Sequence, residues 1–174
     1  KCNLEKGSVE KYNINIKKSN EYENIWRSNV ALQNKTDGSF TPFQRKGESD
    51  ISIYRPKVIN ENGTIYRPLG DIVIEDNEKD NLDQYKTTLV SGDIKIPDKL
   101  SLQHNFRRKE GVGKGVIGYS FWKPDMEGDN KDKYVCLGNM LDNKFNGIPM
   151  KENYVCVPRK CTRIKKDNKT LVWQ

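Results

Sequence analysis

Apolar residues in this chain recur at every second position in short runs, and no segment shows the three-and-four spacing of a helical face. Ile14 and Ile16 alternate with asparagine and lysine, and Ile51 and Ile53 alternate with polar neighbours. Similar runs lie at Thr87-Thr88-Leu89-Val90, Ile94-Lys95-Ile96, Val116–Trp122, Lys133–Leu137 and Tyr154-Val155-Cys156-Val157. Alternation of this kind, rich in β-branched and aromatic residues, predicts half-buried strands. The punctuation agrees. Pro56 limits the strand it follows because proline cannot donate to a ladder. Asn62-Gly63 is the strongest two-residue hairpin signal in the chain. Gly70, inside the β-rich run Leu69-Gly70-Asp71-Ile72-Val73-Ile74, marks a bulge or a close backbone approach. The expected fold class is all-β.

One stretch occurs twice. Ser52-Ile53-Tyr54-Arg55-Pro56, followed by Tyr66-Arg67-Pro68-Leu69-Gly70-Asp71, returns as Ser120-Phe121-Trp122-Lys123-Pro124 and Tyr134-Val135-Cys136-Leu137-Gly138-Asn139. Six identical or aromatic matches share one offset of 68 residues, which indicates an internal repeat. The expected architecture is a tandem β-repeat module, sandwich- or prism-like. Residues 1–48 form an N-terminal segment with the remnant of a preceding unit near Ile25-Trp26-Arg27; residues 49–110 and 111–174 form two full units. The run Gly111–Gly115 reads as a flexible joint, and Leu171-Val172-Trp173 closes the second unit.

Composition narrows the classes without choosing one. Of 174 residues, 34% are hydrophobic and 32% charged, yet sixteen aromatics in alternating contexts supply the core material that disordered chains lack. The net charge of +7 permits contact with nucleic acid or an anionic membrane and requires neither. The abundance of Asn, Lys and Ile is what an AT-rich genome imposes, and it supplies much of that charge. Nucleic acid is therefore not expected as a partner, and peripheral membrane contact stays open. The basic clusters Arg107, Arg108, Lys109 and Arg159, Lys160, Arg163, Lys165, Lys166 read as a solvated rim in preference to a phosphate-binding stripe. No run approaches the roughly 18 apolar residues of a membrane span. The chain begins at lysine with no signal peptide and reads as mature or trimmed.

No motif carries chemistry. His104 is the one imidazole and has no nucleophile context. Gly111-Val112-Gly113-Lys114-Gly115 lacks the spacing of a phosphate loop and has glycine where Ser or Thr should follow the lysine. Asp125, Glu127, Asp129 and Asp132 lack the glycine position and closing glutamate of a calcium loop, so they read as a solvated turn. The sequons at Asn34, Asn62 and Asn168 are what chance gives in an Asn-rich chain. Cys2, Cys136, Cys156 and Cys161 do not match zinc-ligand spacings; two disulfides and four thiols are both open. No catalytic residue, metal or cofactor is expected.

The order aromatic-basic-Pro, hairpin, Tyr-x-x-Leu-Gly-Asp, variable loop, Val-x-Cys-Val strand and closing Leu-Val-Trp resembles the vacuolar-protein-sorting sixty-two family. It is also similar to the adaptor-binding repeats of bridge-like lipid-transfer proteins. The resemblance covers about residues 49–174 and extends to sequences of large DNA viruses. It implies β-rich modules that bind adaptor peptides with short proline-containing motifs, or neighbouring subunits of a particle, without catalysis. It implies as partner-binding or fold-defining residues Tyr54, Arg55, Pro56, Leu69, Gly70 and Asp71, with their second-unit partners Trp122, Lys123, Pro124, Leu137, Gly138 and Asn139. Tyr54 stands where tryptophan is usual, Pro68 precedes Leu69-Gly70, Asn139 replaces an aspartate, and the first unit has no cysteine matching Cys156. The expected function is a non-catalytic protein-interaction module. The alternatives are a structural component of a viral particle and a secreted module binding membrane or glycan. A cytoplasmic or virion setting is favoured over secretion.

Overall fold

The computed structural model describes residues 12–27, 32–33, 40–41, 51–75, 84–109 and 116–162. The protein is all-β. Among the described residues the strands are β1 (Ile14–Ser19), β2 (Tyr22–Arg27), β3 (Leu32–Gln33), β4 (Phe40–Thr41), β5 (Ile51–Pro56), β6 (Ile59–Glu61) and β7 (Thr64–Pro68). They continue as β8 (Ile72–Glu75), β9 (Thr87–Gly92), β10 (Lys99–Lys109), β11 (Val116–Asp125), β12 (Tyr134–Val135), β13 (Met140–Asp142) and β14 (Val157–Pro158). Among the described residues helix is confined to short 3-10 turns, such as Gly128–Asn130 in the acidic turn. The Gly111–Gly115 joint, the Leu171-Val172-Trp173 ending, Cys2, and the sequons at Asn34 and Asn168 lie outside the described residues.

All strand pairs are antiparallel, in sheets β2-β5-β8, β10-β11-β13, β1-β9-β7-β6, β12-β14 and β3-β4. The hairpin β6–β7 turns at Asn62-Gly63, where φ is +50° and +80°. Those are the left-handed values that a two-residue turn matched to strand twist requires, and that Asn and Gly tolerate. β5 stops at Pro56, whereas β11 runs one residue past the matching Pro124.

The first two sheets share one hydrogen-bonding plan. Ser52↔Ile74, Ile53↔Val73 and Tyr54↔Ile72 recur 68 residues later as Ser120↔Asp142, Phe121↔Leu141 and Trp122↔Met140. On the other side of the central strand, β2 bulges between Asn24 and Trp26 against Tyr54 and Ile53. β10 bulges between Leu102 and His104 against Trp122 and Phe121, the same register positions. The correspondence extends to the remaining strands. Arg67↔Val90 and Lys17↔Leu89 match Val135↔Val157 and the bridge Lys95↔Cys156. The adjacent pair Pro68↔Leu89 falls where Cys136 and Cys156 form a disulfide.

The core draws on both halves of the chain. Ile14 and Val90 cluster with Val155 and Val157, flanked by Leu69, Ile94, Ile96, Val135 and Cys161. Tyr154, Leu89, Met140, Leu141 and Val155 are the largest fully buried side chains apart from the prolines, so both faces of several strands are covered. A second, aromatic contact joins the sheets: Trp26 of β2 meets Tyr119 of β11 edge-on at 5.2 Å, and Phe106 stacks on the same ring at 5.5 Å.

Candidate functional site at the Arg55–Asp71–Tyr154 cluster

The repeated stretch meets itself in space. Gly70 and Gly138 abut. A Cβ built on Gly70 would lie 2.6 Å from the Gly138 Cα, and one built on Gly138 would lie 2.5 Å from both the Gly70 Cα and the Leu69 carbonyl oxygen. The expected close approach at Gly70 is thus backbone against backbone, which only glycine at both positions permits. Beside it the Asp71 N–H donates to the Asn139 carbonyl at 2.9 Å.

That contact places Asp71 beneath Arg55. The guanidinium donates to both carboxylate oxygens, Nε at 3.1 Å and Nη2 at 3.0 Å, with the side chains 17% and 5% exposed. The same carboxylate accepts the Tyr154 hydroxyl at 2.5 Å and the Leu141 N–H at 2.8 Å. Arg55 completes the ring by donating from Nη2 to the Leu141 carbonyl at 2.5 Å and from Nε to the Tyr154 oxygen. Both backbone groups of Leu141 are thus gripped by one ion pair from the first half of the chain. Two further bonds run the same way, Val155 N–H to the Pro68 carbonyl at 3.3 Å and Arg67 Nε to the Glu152 carbonyl at 3.0 Å.

Electrostatics fit a structural lock. Burial works against the Arg55 charge, but the hydrogen bond and charge of Asp71 outweigh it, and the guanidinium pKa rises. The Tyr154 hydroxyl, desolvated and facing Asp71, is pushed well above its ordinary value despite the opposing Arg55. Neither group is poised to exchange a proton near neutrality, which is what general acid–base work would need.

The matching second-half positions do not repeat this chemistry. Lys123 and Asn139 stand where Arg55 and Asp71 stand, and both are exposed. Leu69 packs against the core, whereas Leu137 is 54% exposed. Tyr54 is buried and its hydroxyl finds no hydrogen-bond partner among the described residues. Trp122, which matches Tyr54, donates Nε1–H to the Gly147 carbonyl at 2.8 Å, and the buried Ser120 donates to the same oxygen at 2.5 Å. Pro56 and Pro124 are fully buried. The two aromatic-basic-proline triplets therefore keep their aromatic and proline faces largely inside the fold.

Cys136 and Cys156 are bonded, Cys161 is disulfide-bonded as well, and no free cysteine is found among the described residues. For these two the thiol alternative gives way to the oxidised one, because Cys136 directly follows β12 and Cys156 directly precedes its antiparallel partner β14, which brings their Cα atoms to 4.1 Å. His104 is exposed and tilts against Tyr119 at 5.8 Å. Of the acidic turn, Glu127 pairs with Lys99 at 2.7 Å. No group of three or more metal-ligating side chains, and no helix long and apolar enough to cross a membrane, is found among the described residues.

Tyr154 is the member of the cluster that sequence reading did not single out. Its matched first-half position is Thr87, so no repeat signal points to it. Comparison with known proteins adds no assignment: no family model, curated protein or solved structure matches the chain.

Proposed function

We propose that the protein is a non-catalytic binding module made of two copies of one β unit, residues 14–91 and 92–158, locked together so that their outer edges meet protein partners. On this reading each copy starts before the sequence-based boundaries 49 and 111, since β2 and β10, which precede them, pair with the central strands β5 and β11. The observation that carries the reading is the Arg55–Asp71–Tyr154 cluster. The buried ion pair and its hydrogen bonds hold one copy's strand to the other, with both Asp71 carboxylate oxygens occupied by groups of the chain itself. Arg55, Pro56, Gly70, Asp71 and Gly138 are accordingly fold-defining. Partner contact falls to exposed edges, where β10 offers Leu102, Gln103 and His104 on a long edge strand. The motif order shared with the vacuolar-protein-sorting sixty-two family supports the same class of function.

An array of extended proline-containing peptides tests this. Binding that survives Pro56→Ala but is lost on placing proline at Gln103 supports edge recognition. Absence of any peptide binding by folded protein counts against it. A second reading, an exported surface module for membrane or glycan, is favoured by one observation, the oxidised cysteines. Liposome and glycan binding by the oxidised protein tests it, and failure of both removes it.

A further inference from the structure

The loop that follows β13 holds two large apolar side chains out in water. Ile148 and Met150 are 67% and 65% exposed, and Pro149 between them is buried. Met150 is extended, with φ −72° and ψ 104°, and in extended backbone residues two apart project to one side. Hydrogen bonds hold the backbone on both flanks of the pair. Upstream, Gly147 N–H donates to the Lys144 carbonyl at 3.0 Å, and the Gly147 carbonyl accepts from Ser120 and Trp122 of β11. Asn105 of β10 donates to the Asn146 side-chain oxygen at 2.8 Å. Downstream, Asn153 N–H donates to the Met150 carbonyl at 3.2 Å, and Lys151 Nζ to the Asp98 carbonyl at 2.6 Å. Turning Ile148 and Met150 inward would disrupt these bonds, so both stay where only an apolar phase outside the fold can bury them.

Cations gather around the pair. Lys144 and Lys151 bracket it in the chain, and Lys144 is exposed. β10 ends in Arg107-Arg108-Lys109, at register positions opposite Gly118, Ile117 and Val116. Gly118 lies against the same loop: a Cβ built on it would stand 2.6 Å from the Phe145 Cβ. Two carboxylates are near, Asp142, which accepts the Lys144 N–H, and the exposed Glu152. The balance is positive, as it is for the whole chain at +7.

We propose that this loop seats the protein on an anionic lipid bilayer. Ile148 and Met150 enter the boundary between headgroups and acyl chains, and Lys144 and Lys151 meet the lipid phosphates. Residues 107–109 add to the local positive potential. A bilayer fits better than a protein, because two projecting side chains fall far short of the roughly 20 residues a side of a stable protein interface. It fits better than nucleic acid, because neither side chain has a ring on which bases could stack. The apolar pair and the charge are each too weak to hold the protein alone, so binding needs both and is reversible.

The site rests on the surface-module reading and gives it a membrane contact. The test is co-sedimentation of the oxidised protein with phosphatidylcholine vesicles, alone or with about 30% phosphatidylserine, at about 0.1 M salt. Wild type is expected to bind the anionic vesicles, to leave the neutral ones, and to be released as salt is raised. Ile148→Ser combined with Met150→Ser, both at exposed positions, should weaken binding at least about tenfold. Lys144→Glu should weaken it several-fold, and Val73→Ser, at an exposed position on β8, should leave it unchanged. Ile148→Trp should bind more tightly and be quenched by brominated lipid, a gain that reads the site even where a loss variant fails to fold. No binding to anionic vesicles, equal binding to both kinds, or a tryptophan at 148 that brominated lipid does not quench would each overturn the proposal. Vesicle binding that survives the double serine change overturns this site and leaves the surface-module reading standing. Loss of vesicle and glycan binding together removes both.

Discussion

Asp71→Ala removes a carboxylate that accepts four hydrogen bonds from three residues: two from Arg55, one from Tyr154 and one from the Leu141 amide. Hydrogen bonds to charged groups contribute about 1.5–3 kcal/mol each, but the four share one carboxylate and do not add. The better guide is the breaking of a buried ion pair, about 3–5 kcal/mol, because the cation left behind has lost its hydration without compensation. With Arg55 17% and Asp71 5% exposed, the middle of that range, about 4 kcal/mol, is expected. A domain of this size is stable by only about 5–15 kcal/mol, so the variant should lose a large fraction of its stability.

Urea unfolding followed by tryptophan fluorescence is the assay. A loss of about 4 kcal/mol lowers the midpoint by roughly 2 M at a slope of about 2 kcal/mol/M. Asp71→Asn keeps an acceptor for the Leu141 amide and loses the charge, so about half the cost is expected. The double variant Arg55→Met, Asp71→Ala removes the stranded cation along with its partner. It should recover at least about 1 kcal/mol relative to the sum of the single changes. An Asp71→Ala protein within about 0.5 kcal/mol of wild type, or strictly additive singles, would refute the buried lock.

Further outcomes follow from the same geometry. Gly138→Ala drives a Cβ to 2.5 Å from the backbone of Leu69 and Gly70 and should cost about 3 kcal/mol by the same urea assay, with Gly70→Ala close behind. Tyr54→Phe removes a buried hydroxyl with no hydrogen-bond partner among the described residues and should leave stability unchanged or raise it by about 1 kcal/mol, read as a melting-temperature increase. Replacing Cys136 and Cys156 by alanine opens a loop with a sequence separation of 20 and should cost about 3 kcal/mol. Tyr154 is neutral when protonated and its pKa is raised from 10.0, so the folded chain keeps a proton that the unfolded chain releases. Stability is therefore full below about pH 10 and falls above it by about 1.4 kcal/mol per pH unit. Tyr154→Phe should remove that slope from a pH titration of unfolding, leaving the smaller share of Tyr22 and Tyr119.

The strand class, the Asn62-Gly63 turn and the close approach at Gly70 were legible because each depends on a local rule: period two, left-handed φ, absence of a Cβ. The correspondence of the flanking strands β2 and β10 was not. β2 and β10 correspond at an offset of 78 residues while the central strands correspond at 68, so a search in one register cannot join them. Trp26 and His104 share a place beside the bulge but no chemistry, which hides the match further. The pairing of Cys136 with Cys156 needs the knowledge that β12 and β14 are neighbours, which spacing alone does not contain. At the candidate site, Arg55 and Asp71 were found by repetition, while their job was visible only in the differences, Lys123 and Asn139. Tyr154 was missed because its counterpart is Thr87.

Those differences also explain why the polar bonds gather around Asp71. Arg55 and Asp71 form a bidentate ion pair that grips both backbone groups of Leu141. Lysine and asparagine, which stand at the matching positions 123 and 139, cannot form such a pair, and both are exposed. The Cys136–Cys156 disulfide falls where Pro68 pairs with Leu89. Tyr154, which completes the ring of bonds, stands where the first half has Thr87, a side chain too short to reach as a phenol does. Gly70 and Gly138 thus bring matched backbone positions together, while the side chains around them differ enough that the charge is buried and paired at Asp71 and replaced by an exposed neutral amide at Asn139.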